Sequence, residues 1–499
     1  MLSAKLAKAV LCAVVLASYS LGAPAGSSAP AASSVLASSS APVPSASAAL
    51  SSLVSSAVPS AATSAVVPSS AASSFPASIS SNPSSTASAS VSADAATETV
   101  PYASDNANGV MWNPGWDGQP EAIRGSLGSS VIGPQNNPMD LQNPDLLAPP
   151  TTDAGTVGNA KWPFSLSHNR LQTGGWARQQ NLAVLPMASA MAGVDMRLEV
   201  GAIRELHWHK TGEWAYILQG SVQISAVNQN GQNFVSTINQ GDLWYFPAGI
   251  PHSIQATDAN ANGAEFLLVF DDGNFSEDDT FLLTDWLAHV PKDVLAKNFQ
   301  TSMSTFDKLP GQELYIFPAA PPGPDSDAPT SPQGTVPNPF TFKLSEVPAT
   351  QLQGGSVKIV DSNTFTASKT IAAAEVTVEP GAMRELHWHP TQDEWSYFIE
   401  GYARVTLFAA QSSARTFDYQ AGDVGYVPGS YGHYVENIGN TTLRYLEVFK
   451  TDTFQDVSLS QWLALTPSAM VKATLNLDDE DLSHFSKTKP VVVGASNNS

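Results

Sequence analysis

Apolar and polar positions alternate through most of the chain from about residue 160 onward. Met196-Arg-Leu-Glu-Val200, Val222-Gln-Ile-Ser-Ala226 and Ala403-Arg-Val-Thr-Leu407 switch sides at each step. A period of two sets one face of a strand on a core and the other in water. Turn residues at Asn230-Gly231, Gln240-Gly-Asp242 and Ala248-Gly249 cut these runs short. Short antiparallel strands at this spacing predict a small barrel or jelly roll, so an all-β fold. Helical patterns are confined to short stretches after a proline, at Pro291-Lys-Asp-Val-Leu-Ala-Lys297 and Pro467-Ser-Ala-Met-Val-Lys-Ala473. Proline suits the first turn of a helix.

The pattern occurs twice. Gly201-Ala-Ile-Arg-Glu-Leu-His-Trp-His209 returns as Gly381-Ala-Met-Arg-Glu-Leu-His-Trp-His389. Gly241-Asp-Leu-Trp-Tyr-Phe-Pro247 returns as Gly422-Asp-Val-Gly-Tyr-Val-Pro428, and Asp285-Trp-Leu-Ala288 as Gln461-Trp-Leu-Ala464. The offset is 176 to 181 residues, which marks a duplicated domain and not a solenoid of short units. The domains are placed at residues 161–316 and 340–490, joined by a Pro/Gly/Asp-rich linker over 317–339. Residues 101–160 have few periodic runs and read as an arm packed on the barrels. A tail is expected over 491–499.

The N-terminal part follows other rules. Lys5 and Lys8 precede the apolar run Ala9 to Leu16, and small residues follow, as in a secretory signal over residues 1–23. The run is too short for a comfortable membrane span. Residues 24–100 are mostly Ser, Ala and Pro with Phe75 as the sole aromatic. Such a segment cannot bury enough apolar surface to offset chain entropy, so a disordered stalk is expected. The mature protein is expected to be secreted. Cys12, the only cysteine, lies inside the signal, which excludes thiolate metal sites and thiol nucleophiles.

The formal net charge of −21 argues against nucleic acid and anionic membranes as partners. It equally repels a small anionic substrate, so a site for one must supply its own positive charge.

Six of the nine histidines fall into two matching sets. The first is His207, His209, Glu213 and His252; the second is His387, His389, Glu394 and His433. His-x-His in a strand puts both rings on one face. The second copy has one extra residue before its glutamate, yet the glutamate-to-histidine separation is 39 in both. Three imidazoles and one carboxylate leave two positions of an octahedron open. That favours manganese over zinc, one ion per domain, with iron an open alternative.

At these residues the chain resembles the cupin superfamily, whose signature is Gly-x5-His-x-His-x3/4-Glu-x6-Gly followed by Gly-x5-Pro-x-Gly-x2-His-x3-Asn. Both copies match, except that Ala256 replaces the asparagine in the first and Ser430 the second motif's inner glycine in the second. More narrowly, the chain is similar to bicupin oxalate decarboxylases of secreted fungal type. His168-Asn-Arg-Leu171, His252-Ser-Ile-Gln255, Phe270-Asp-Asp-Gly273 and His433-Tyr-Val-Glu-Asn437 carry that likeness, which covers about residues 120 to 490. It implies two tandem jelly-roll barrels with short flanking helices. It also implies a homo-oligomer that turns oxalate and a proton into formate and carbon dioxide, with Mn(2+) and dioxygen as cofactors.

The resemblance further implies residue roles. Arg204, and Arg384 in the second copy, would bind substrate oxygen. Both lie three residues before a metal histidine, on the opposite parity of a straight strand, so a bulge must re-aim them. Glu277, in Ser276-Glu-Asp-Asp279, would be the lid residue that protonates carbon. The family's lid often continues with asparagine and serine where Asp278 and Asp279 stand. In the second copy the sequence aligns Asp456 with Glu277, while Glu447 replaces Leu268 and is a further catalytic candidate. An oxalate oxidase would share the metal and arginine and lack the lid donor; a non-enzymic bicupin would lose ligands. Asn274-Phe-Ser276 and Asn440-Thr-Thr442 are glycosylation sequons.

Overall fold

The computed structural model describes residues 118–496. The expected signal and the Ser/Ala/Pro-rich segment lie outside the described residues. Among the described residues no helix is long and apolar enough to cross a membrane.

Each copy is a sandwich of a six-stranded and a seven-stranded antiparallel sheet. In the first copy the smaller sheet runs Asn233–Asn239, Ser221–Val227, His252–Ala256, Ile203–Trp208 and Phe281–Leu282, with Ile316–Phe317 beside Ile203–Trp208. The larger sheet centres on Leu243–Phe246, Glu213–Gln219, Ala264–Phe270 and Ala192–Leu198. The second copy repeats both orders. Alternating positions face inward, and Trp214, Trp244, Trp395 and Phe266 are fully buried. Pro291 and Pro467 sit at the N-caps of the short helices Lys292–Asn298 and Ser468–Leu475, one residue before the first turn.

The barrels exchange edge strands. Lys161–Pro163, placed by sequence at the start of the first domain, pairs with Asp423–Val427 of the second. Thr341–Phe342, placed at the start of the second, pairs with Leu243–Phe246 of the first. The expected tail from 491 is also partly structured, because Val492–Val493 pairs with the strand Met383–Trp388. Periodicity cannot reveal this, since a two-residue strand carries no period.

The larger sheets meet between the copies. A Cβ on Gly193 would stand 2.3 Å from the Trp395 ring, so only glycine allows that approach. Trp395 Nε1 donates to Gln180 Oε1 at 2.7 Å, and the Tyr216 hydroxyl donates to Glu375 at 2.8 Å. These bonds satisfy polar atoms that the contact would otherwise strand. The N-terminal arm packs on the second copy, where the Asp418 N–H donates to Asp145 at 3.2 Å and Lys161 Nζ donates to the Gln142 carbonyl at 2.7 Å.

Candidate metal centres and their lid

The pairing of two strands builds the first site. His252 stands directly across from His207 on neighbouring strands of the smaller sheet. His209 follows the end of the His207 strand, and Glu213 opens the facing sheet. One ligand atom from each of the four lies within 4.8 Å of the others, and all four are buried. The second site gathers His387, His389, Glu394 and His433 in the same way.

Hydrogen bonds outside each cluster set the ring tautomers. The Nδ1 atoms of His207, His209 and His252 lie 2.6, 2.7 and 2.7 Å from the carbonyls of Glu205, Thr211 and Ile250. A carbonyl only accepts, so each Nδ1 carries the proton and each Nε2 turns a lone pair inward. In the second site His387, His389 and His433 are held likewise by Glu385, Gln455 and Tyr431. Trp244 Nε1 donates to Glu213 Oε1 at 2.7 Å, and the Ser396 hydroxyl donates to Glu394 Oε1 at 2.6 Å. The other oxygen of each glutamate faces the imidazoles.

Acceptors therefore converge on acceptors. The buried Nε2 atoms of His252 and His387 have no hydrogen-bond partner. Burial, then the nearby arginine, pushes the His207 and His387 pKa values well below the ordinary histidine range, so they resist protonation. Neutral imidazoles around an ionised carboxylate fit a divalent cation with vacant positions.

A bulge places the arginine. His252 pairs with His207, but Ile254 pairs with Arg204, so three residues on one strand span two on the other. The extra residue turns Arg204 to the same side as His207, as the parity argument requires. The register shifts identically between His387 and Arg384. Arg204 is 1% exposed, and its Nη1 is buried without a partner. Its Nη2 donates to Glu277 Oε2 at 3.0 Å.

Glu277 opens a 3₁₀ turn, Glu277–Asp279, capped by the Ser276 side chain accepting from the Asp278 N–H. Its backbone N–H donates to Gln179 Oε1 at 2.9 Å, and its Oε2 accepts from the Tyr315 hydroxyl at 2.6 Å. Burial, then the Glu277 charge, keeps the Tyr315 pKa well above its usual value, so the phenol remains a donor. Tyr315 was not legible beforehand. It precedes Ile316–Phe317 with φ of 58°, a left-handed conformation costly for a residue with a Cβ. Nothing in Glu313-Leu-Tyr-Ile-Phe317 announces that geometry.

The cupin family model matches residues 167–306 and 343–483. The chain belongs to the cupin family. This bicupin is 55% identical to oxalate decarboxylase OxdC of Bacillus subtilis over 375 residues, covering 75% of this chain and 97% of that protein. A solved structure concerned with the Mn(II) centres of the Bacillus subtilis oxalate decarboxylase is 54% identical, with a TM-score of 0.73 over 76% of this chain and all of that one. Another, at 53% identity and a TM-score of 0.74 over the same shares, replaces a Ser-Glu-Asn-Ser stretch of that enzyme by Asp-Ser-Ser-Asn.

The two sites of the bicupin differ beside the arginine. Phe281 pairs with Trp208, and Val457 with Trp388, so Val457 is the counterpart of Phe281. Counted forward from Phe275 and Phe454, which pack against Phe270 and Phe449, Asp456 aligns with Glu277, and each accepts from its arginine's Nη2, although Val457 is already level with Phe281. From Phe270 and Phe449, equivalent strand ends, the first copy takes three more residues to reach this point. The extra residues lie between Glu277 and Phe281, where the second copy runs straight from Asp456 to Val457. In the second copy Arg384 Nε donates to Glu447 at 3.3 Å, Nη2 to Asp456 at 2.6 Å and Nη1 to the Val491 carbonyl at 3.4 Å. Val491 stands where Tyr315 stands in the first copy, and Tyr445 gives Glu447 a hydroxyl at 2.9 Å instead. Lys489 also pairs with Asp456.

Proposed function

We propose that this bicupin is an oxalate decarboxylase and that its first site performs turnover. The observation that carries this is the Glu277 carboxyl held by Arg204 and Tyr315 beside a three-histidine, one-glutamate cluster. The likeness to curated oxalate decarboxylases along almost their whole length names the substrate. His207, His209, Glu213 and His252 would hold one Mn(2+), and His387, His389, Glu394 and His433 a second. Bound manganese, with dioxygen as co-catalyst, supplies the reversible one-electron step that loosens the carbon–carbon bond.

The chain's own groups do the rest. Arg204 offers its free Nη1 donors to a substrate carboxylate and fixes its orientation. The buried walls exclude water from the reacting carbon. Glu277, protonated once its Oε2 has left Arg204, delivers the proton that reaches carbon after carbon dioxide departs, giving formate. Tyr315 positions that oxygen. Oxalate dianion and one proton yield formate and carbon dioxide, so acid favours the reaction. An oxalate oxidase has no use for a carboxyl held over the arginine, and that favours decarboxylation.

In the second copy we assign Arg384 and Glu447 to a metal-holding site. Arg384 is engaged along its whole guanidinium, and burial pushes the Glu447 pKa up despite that arginine. Bound manganese, formate and hydrogen peroxide measured on one preparation test the whole reading. Protein that takes up no manganese, or that makes no formate from oxalate with manganese bound, would overturn it. Secretion rests on Lys5, Lys8 and the Ala9–Leu16 run, and N-terminal sequencing of protein from culture medium checks it. Asn274 and Asn440 are exposed, as glycan acceptors must be, and mass spectrometry reads their occupancy.

A further inference from the structure

The first metal site is sealed in this conformation. Its four ligands are buried, and Glu277, only 6% exposed, occupies Arg204. Any dianion that is to reach Arg204 must displace the turn that carries Glu277. That turn lies between two clefts. One, of about 830 Å³, is bordered by Arg170, Gln179, Glu277, Asp278 and Tyr315. The other, of about 510 Å³, reaches His209 from the far side, past Phe275, Asp278 and Thr280. The segment 276–279 borders both clefts and stands between the larger one and the ligands.

Glu277 is held from within by Arg204, Gln179 and Tyr315, and Arg170 adds a tie from the solvent side. Arg170 belongs to the short strand Arg170–Gln172. Its guanidinium lies 3.7 Å over the Tyr315 ring, and it pairs with Glu313 from the same strap. Its Nη1 reaches Asp278 Oδ1 at 3.4 Å. Asp278 is otherwise exposed, its side chain 80% in solvent, so no packing requires it there. The bacterial relative has Ser-Glu-Asn-Ser in a stretch resembling Ser276-Glu-Asp-Asp279, so the carboxylate at 278 replaces a neutral amide.

We propose that Arg170 and Asp278 form a latch that holds the 276–279 turn over the first site, and that Asp278 is the charge that tunes its closure. Arg170 is a positioning residue: its fixed contacts to Tyr315 and Glu313 make it an anchor, and Asp278 is the removable end. Arg170 also faces the larger cleft, so an arriving dicarboxylate competes with Asp278 for the same guanidinium. Substrate entry and lid release are thereby coupled through one cation. The effect on formate output rests on the decarboxylase reading; the closure itself does not.

Hydrogen exchange of the 276–280 amides, measured on the full manganese-loaded chain, tests the latch. An exposed ion pair of this kind shifts an open–closed equilibrium by about twofold to threefold. Asp278→Asn should speed exchange by that factor, Asp278→Glu should restore it, and added salt should speed the parent chain but not Asp278→Asn. Arg170→Gln should match Asp278→Asn. Equal exchange in parent and Asp278→Asn overturns the latch. So does a change in Arg170→Gln alone, because Arg170 would then act only through Tyr315 and Glu313. If no form makes formate yet exchange responds as stated, the latch stands and the decarboxylase assignment falls.

Discussion

Replacing Glu277 by glutamine isolates the proton from the shape of the lid. The amide is isosteric, and its oxygen can still accept from Arg204 at 3.0 Å and Tyr315 at 2.6 Å, so the turn should stay in place. What disappears is the exchangeable proton and the negative charge. General acid catalysis by one positioned group is worth about 10²- to 10⁴-fold, or about 3 to 5 kcal/mol of barrier. Formate turnover should fall by that factor. KM should not rise, because a neutral amide competes with substrate for Arg204 less strongly than a carboxylate does. Oxidised substrate that is no longer protonated at carbon should drain into hydrogen peroxide and carbon dioxide.

A second variant sharpens the magnitude. Glu277→Asp retracts the carboxyl by one carbon–carbon bond, about 1.5 Å, which opens the contact to Arg204 to roughly 4.5 Å. The acid survives but no longer reaches, so its rate should lie between parent and glutamine. Formate and peroxide are followed together in a steady-state assay, with bound manganese measured on each protein. Unchanged formate in Glu277→Gln removes Glu277 as donor. A loss confined to KM refutes the argument too, since it would make Glu277 a binding group.

Other outcomes follow from the same geometry. His207→Ala should halve bound manganese and abolish formate, whereas His387→Ala should halve manganese and spare turnover per first-site ion; equal losses of formate contradict the assignment. Burial, then the Asp418 charge, raises the Asp145 carboxyl to about 6, and burial, then Glu265, raises Asp195 to about 7. The folded state therefore binds protons that the unfolded chain releases near 3.8, so this stability is fully present below that pH and is lost as pH rises through 6 to 7. Melting temperature should fall from pH 5 to 7.5, and Asp195→Asn should flatten the slope; a parent curve unaltered in the variant contradicts this. Gly193→Ala forces a methyl against Trp395 and should cost about 1 to 3 kcal/mol in denaturant unfolding, relieved by adding Trp395→Leu.

The ligands were legible because their geometry follows from strand period and repeat alone. His207 and His209 share a face, and the copies check each other residue by residue. Arg204 was half legible: parity demanded a bulge, and the register shift opposite Ile254 is that bulge. Tyr315 and the exchanged strands were not legible, because each depends on a few residues held by tertiary pairing. The alignment of Asp456 with Glu277 holds from the near side, where both stand two residues past a matched phenylalanine and accept from the arginine. The three-residue insertion that follows shows as a change in the repeat offset, and the pairing of Phe281 and Val457 across the sheet fixes its far end.

That insertion explains how one duplicated scaffold yields two unequal sites. Both copies bury an arginine against carboxylate, because a lone buried cation is costly. In the first copy the carboxylate rides on a turn between two clefts, and on the proposed reading a substrate carboxylate takes its place at Arg204. In the second copy Glu447 lies within the strand Leu443–Phe449, paired on both sides, and Asp456 is tied down by Lys489. Neither can withdraw to water, so a bound dianion would add charge to a site that already holds two carboxylates. On the proposed reading, turnover falls to the site whose acid can step aside, since the metal ligands are the same in both.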